Sequence, residues 1–93
     1  MPDILNSMTR KTQNSITYKV YAVDKTFFGY DIYIRNKKII HQPTIPGITG
    51  NKGFFSMKDA EKVAQLVIQK MNRGESLPSV SKEELVSLKI KIN

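Results

Sequence analysis

The sequence predicts an α+β domain: a two-layer sandwich of a four-stranded, mainly antiparallel sheet, with one long helix packed on one face and a short second helix, in the order β-β-β-α-(α)-β. Three observations predict it. Apolar residues alternate through 16–22, 30–34 and 88–92, the period of a half-buried strand. Apolar residues recur at helical spacing from Met57 to Met71, on one broad stripe. One apolar sheet face and one apolar helix stripe close most simply by lying against each other.

The elements follow in order. Residues 1–15 are polar and without period, and are expected to be a flexible tail before a single domain at 16–93. In SITYKVYAV, Ile16, Tyr18, Val20 and Ala22 share one face; Thr17, Lys19, Tyr21 and Val23 share the other. YDIYIR is the second strand, with Tyr30, Ile32 and Ile34 inward, and KIIHQ the third. A loop over Arg35–Lys38, with Asn36 suited to positive φ, pairs Ile34 with Ile39 and Ile32 with His41. That register puts Tyr33 and Ile40 on the opposite face.

Ser56 and Asp59 fit a capping box that starts the long helix. Met57, Ala60, Val63, Ala64, Val67, Ile68 and Met71 form its inward stripe, with Leu66 on a flank and Lys70 among the solvent-side residues. Gly74 stops it. Ser81 and Glu84 repeat the capping box at a short helix, and SLKIKIN alternates as a fourth strand, Leu88, Ile90 and Ile92 inward. This last strand is expected beside the first, giving the order 3-2-1-4.

The 93 residues carry 15 Lys and Arg against 8 Asp and Glu, a net charge of +7. Such a surface attracts anionic partners. Yet no run of five basic residues occurs, so a dispersed, solvated basic surface competes with a dedicated polyanion site. The absence of cysteine excludes disulfides, thiol catalysis and cysteine metal sites. No apolar run approaches the roughly 20 residues of a membrane span, and the first fifteen residues lack the apolar core of a signal peptide. No cofactor is expected, and the partner, protein or anionic, is left open, as is the oligomeric state.

Three places invite chemistry. GITGNKG precedes a helix, but its glycine and lysine spacing fits neither a P-loop nor a dinucleotide fingerprint. Residues 43–53 are therefore read as an ordered crossing segment, anchored by Ile45 and Ile48, with a turn at Pro46-Gly47; ligand binding at Asn51 and Lys52 is the alternative. His41 is the single histidine, which excludes a histidine cluster for metal, and its pairing with Ile32 makes it a partly buried, satisfied side chain. Asp31 then falls on the face opposite His41, which argues against a small hydrolase built on the two, and no enzyme is expected. The outer sheet face collects Lys19, Tyr21, Tyr33, Arg35, Lys89 and Lys91, an interleaving of aromatic and cationic residues that can stack and clamp single strands or sugars. The ribonucleoprotein signature is missing, and a plain solvated face fits the same residues. The candidate binding residues are thus Lys19, Tyr21, Tyr33, Arg35, Asn51 and Lys52.

Gly29-Tyr30-Asp31, the run Ile40-His41-Gln42-Pro43 followed by Ile45-Pro46, Gly50, Phe54, an Ala- and Val-rich helix and the Ser81 to Leu85 segment together resemble a family of small uncharacterised proteins of Bacteroides-type bacteria, a domain of unknown function. The resemblance covers about residues 18–92. It brings no functional residues. It implies an exported or cell-envelope location, although this chain shows neither a leader nor a lipobox cysteine; a cytoplasmic location is the alternative. The expected function is a small non-enzymatic envelope accessory or binding module, with a basic nucleic-acid or polyanion-binding domain using the open sheet face as the rival.

Overall fold

The structure, a computed structural model, describes residues 15–92. The expected tail at 1–15 lies outside the described residues except for Ser15. Three strands, β1 (Ile16–Ala22), β2 (Phe28–Ile34) and β3 (Lys37–Gln42), form one antiparallel sheet in the order β1-β2-β3. Helix α1 (Met57–Asn72) and the short α2 (Lys82–Ser87) follow.

β1 and β2 pair as Ile16↔Ile34, Tyr18↔Ile32 and Val20↔Tyr30, so their inward residues stack directly across the ladder. Asp24 holds the connection between them: its carboxylate accepts from the Thr26 and Phe27 amides at 2.7 and 2.9 Å. Onto this face α1 lays Ala60, Val63, Ala64 and Val67, all buried with Tyr30, Ile32 and Phe54 in the core. The helix starts at Ser56, whose hydroxyl accepts from the Asp59 amide at 3.1 Å. Asp59 does not complete the expected box; its carboxylate accepts from the Lys91 amide, also at 3.1 Å. At α2 the Ser81–Glu84 box is complete.

The expectations at two positions of the long helix need correction. Met57 is 56% exposed instead of inward. Lys70 is only 8% exposed instead of solvent-side. Its ammonium donates to the Ser79 carbonyl at 2.6 Å and to the Glu84 carboxylate at 2.8 Å, tying α1 to the start of α2. A buried lysine is tolerable there because it is both paired and hydrogen-bonded.

The expected fourth strand is absent: 88–92 adopt no strand, and the sheet has three strands among the described residues. The reason is how α2 ends. Lys89 takes φ 60, with its amide bonded to the Val86 carbonyl, and the Ile90 amide reaches the Leu85 carbonyl. This is a Schellman motif, with Ile90 packing beside Leu85 in the core. The alternating Leu88, Ile90 and Ile92 do turn inward, but as a packed coil that never joins a ladder. Lys89 and Lys91 therefore leave the sheet face; Lys91 lies 5.3 Å over the Phe55 ring.

Residues 43–53 behave as the ordered crossing segment expected. The Ile45 amide bonds to the Lys52 carbonyl, closing the neck, and Phe54 pairs through both backbone groups with Phe28. Ile45 is buried, Ile48 partly so, and both face the core. Gly47 takes φ 76, and a Cβ there would stand 2.7 Å from the Val80 carbonyl, so only glycine lets this turn rest on the chain before α2.

Candidate functional site

The register of β2 and β3 decides what the outer face presents. The turn is Arg35-Asn36, with φ of 51 and 70, the two positive values of a type I′ hairpin. Beyond it Ile34 pairs with Lys37 and Tyr33 with Lys38. The ladder then shifts between Ile32 and Tyr33, and resumes as Ile32↔Ile40, Asp31↔His41 and Tyr30↔Gln42. Ile39 is the extra residue of a bulge. The expected pairs Ile34–Ile39 and Ile32–His41 are thus both displaced. Because side chains alternate, that slip moves His41 from the core face to the outer one and turns Ile40 inward.

His41 accordingly is not partly buried: its side chain is 56% exposed. It stands beside Asp31 on the same face, Nδ1 to Oδ1 2.6 Å. The expectation that the two lie on opposite faces is overturned, and with it the argument it gave against their sharing a proton. The contact places the Nδ1 proton toward the carboxylate and leaves Nε2 without a partner among the described residues. The other Asp31 oxygen meets the Lys38 ammonium at 3.2 Å. Tyr21 stacks on the His41 ring, centroids 5.5 Å apart and planes 5° from parallel, with its hydroxyl 3.3 Å from Nδ1. Burial, then the nearby Asp31 charge, raises the Tyr21 phenol above its usual range.

Gly29 makes room for this cluster. It is cross-strand from Tyr21, and a Cβ on it would meet the Gln42 carbonyl at 2.7 Å and the Tyr21 ring tip at 3.0 Å. The Tyr21 ring lies over the bare backbone there. Asp31 itself is only 7% exposed, a buried charge on an otherwise open face, roofed by the side chains that neutralise it.

Of the residues expected at a binding site, Lys19, Tyr21 and Tyr33 do share this outer face: Lys19 lies across from Asp31, and Tyr33 between Thr17 and Lys38. Arg35 is in the turn instead. Asn51 and Lys52 line a separate depression of about 200 Å³ with Ile45, Ile48 and Ile92. Asp31, Lys38 and His41 were not among the expected binding residues. Their sequence signal is faint: Asn36, suited to positive φ, hints at a turn there, but nothing marks Ile39 as the bulge.

No serine or threonine is hydrogen-bonded to His41 among the described residues, and no group of three metal-ligating side chains gathers. The arrangement offers a flat aromatic pair, an outward imidazole nitrogen, and cations on either side of a carboxylate. Among the described residues no helix is long and apolar enough to cross a membrane.

A family model described as a domain of unknown function (DUF4907) matches residues 19–87, and the chain belongs to that family. No curated protein matches it. No solved structure matches it either.

Proposed function

We propose that this member of a family of unknown function is a small non-enzymatic binding module of the bacterial cell envelope, and that it binds through the sheet face opposite α1. The observation that carries this reading is Asp31. A carboxylate at 7% exposure costs desolvation that a solvated face has no need to spend. Here that cost holds His41, Lys38 and Tyr21 in one fixed arrangement. Fixed aromatic and charged groups on an open face suit recognition, since little side-chain freedom is lost on binding. That no serine or threonine is hydrogen-bonded to His41 among the described residues supports binding over catalysis. The envelope location rests on the resemblance to Bacteroides-type proteins.

The rival, a polyanion-binding domain, draws on Lys19, Tyr21 and Tyr33 sharing the face. Asp31 weighs against it, because it sets a negative charge at the centre of the platform and occupies Lys38. Binding to oligothymidine is expected at low salt and should vanish near ~0.15 M salt.

Site-specific photocrosslinking in the native host tests the proposal. A photoreactive residue at position 17 or 33 should give defined adducts, and one at position 83 on α2 should give none. The adducts should disappear when Tyr21→Ala and His41→Ala are combined. Equal labelling from all three positions, or none from 17 and 33, contradicts the proposal.

A further inference from the structure

The edge of β1 that no described residue pairs with carries a second surface, distinct from the outer face just described. Among the described residues β1 is the outermost strand on its side of the sheet. The Ser15 carbonyl accepts from the amide of Arg35, the turn residue that follows β2. By alternation, Thr17, Lys19 and Tyr21 also turn their backbone groups toward β2. Ile16, Tyr18 and Val20 then direct their N–H and C=O groups away from the sheet, where no bond to another described residue satisfies them.

Between this edge and α1 runs a groove. One depression, about 590 Å³, lies between Ile16 and Tyr18 on the strand and Gln65, Ile68 and Gln69 on the helix. A second, about 260 Å³, continues along the same edge between Tyr18, Val20, Met57, Lys58 and Glu61. The Tyr18 side chain divides them; its hydroxyl donates to Glu61 at 2.6 Å and receives the Gln65 amide at 3.4 Å. The exposed Met57 borders the second depression. The two are offset by one repeat of the strand, from the Ile16–Tyr18 interval to the Tyr18–Val20 interval. Alternate side chains of a neighbouring strand are offset equally, by ~6.8 Å.

We propose that this edge is a strand-addition site for an extended acidic peptide segment of a partner protein, with apolar side chains at alternate positions. The backbone of the segment would take the outward groups of Ile16, Tyr18 and Val20, which bond to no described residue, and its two apolar side chains would enter the two depressions. Its intervening side chains emerge on the outer face beside Lys19, the middle residue of β1, and Lys58 borders the groove on the helix. Carboxylates there complement both lysines and the net +7 of the chain. A second copy fits badly: antiparallel self-pairing centred on β1 sets Lys19 opposite Lys19 between two chains of +7.

The probe is an acetylated, amidated synthetic peptide, Glu-Leu-Glu-Val-Glu-Gly, titrated into the full chain and followed by amide NMR and hydrogen exchange. Saturable shifts are expected at Ile16, Tyr18, Val20, Gln65 and Ile68, with slowed exchange at the first three. A scramble that places Leu and Val side by side should bind about tenfold more weakly or worse, as should a peptide N-methylated on the Leu and Val amides. Lys19→Glu should turn the preference toward the version with lysine in place of glutamate. Shifts confined to Tyr21 and His41 would overturn the edge site while leaving the outer-face reading intact. Absence of saturable shifts, or equal binding by the scramble, overturns it as well. So does slow exchange at Ile16, Tyr18 and Val20 without peptide that is lost on deleting residues 1–14, because the chain itself would then cover the edge.

Discussion

Asp31 is the residue on which the outer face turns. Its partners differ from it in burial: Lys38 and His41 are about half exposed and can solvate if the carboxylate is lost, whereas Asp31 cannot if they are lost. The costs of removing one side or the other should therefore be unequal. Combining Lys38→Met with His41→Phe should destabilise the domain by about 1–3 kcal/mol in urea unfolding. Adding Asp31→Asn to that double variant should recover most of the loss. Asp31→Asn alone should cost less than the double variant. A double variant as stable as the parent would mean that Asp31 is far better hydrated than its 7% exposure implies.

At the scale of elements, the β2–β3 hairpin and the α1–α2 junction each make a testable demand. Arg35 sits at φ 51, a conformation that costs arginine more than it costs asparagine or glycine. Arg35→Asn with Asn36→Gly should raise stability by roughly 0.5–1 kcal/mol by thermal or urea unfolding, with the bulge at Ile39 unchanged. At the junction, the hydrogen bond from Lys70, then the Ser81 amide, holds the Glu84 carboxyl below its usual 4.5. A carboxyl lowered on folding adds stability above its unfolded pKa, and that stability is lost as pH falls through the folded value. Glu84→Gln should cost about 0.5–1.5 kcal/mol at neutral pH, because the amide oxygen can still accept from Lys70 but the charge pair is lost, and should flatten the loss of stability below about pH 4.5. The helices were legible because caps and 3.6-residue spacing are local. The hairpin register was not: Ile39 and Ile40 are equally apolar, so hydrophobic patterning accepts either as the inward residue. Residues 88–92 misled for a related reason. Alternation reports which side chains turn inward, and says nothing of whether the backbone finds a ladder; the left-handed Lys89 ensures that it does not.

For the whole molecule, one helix and one sheet face supply most of the core, and Val67 lies where they meet, 2% exposed. Val67→Asp buries an unpaired carboxylate there and should cost about 3–5 kcal/mol, a large part of the roughly 5–15 a domain of this size possesses. Loss of a cooperative melt, or a much lower midpoint in thermal circular dichroism, is the expected outcome. The division into a covered and an open face was readable from the spacing of apolar residues, since β1 and α1 each have one apolar side. What occupies the open face was not, because Tyr21, Asp31 and His41 come from three strands and meet only when the register is right. Nuclear Overhauser contacts of the single histidine decide that register directly. The ring protons of His41 should show strong contacts to the Tyr21 ring and none to the side chains of Ile32 or Val67. Contacts from His41 to Ile32 or Val67 would put the histidine on the core face, restore the unbulged register, and dissolve the binding face built on it.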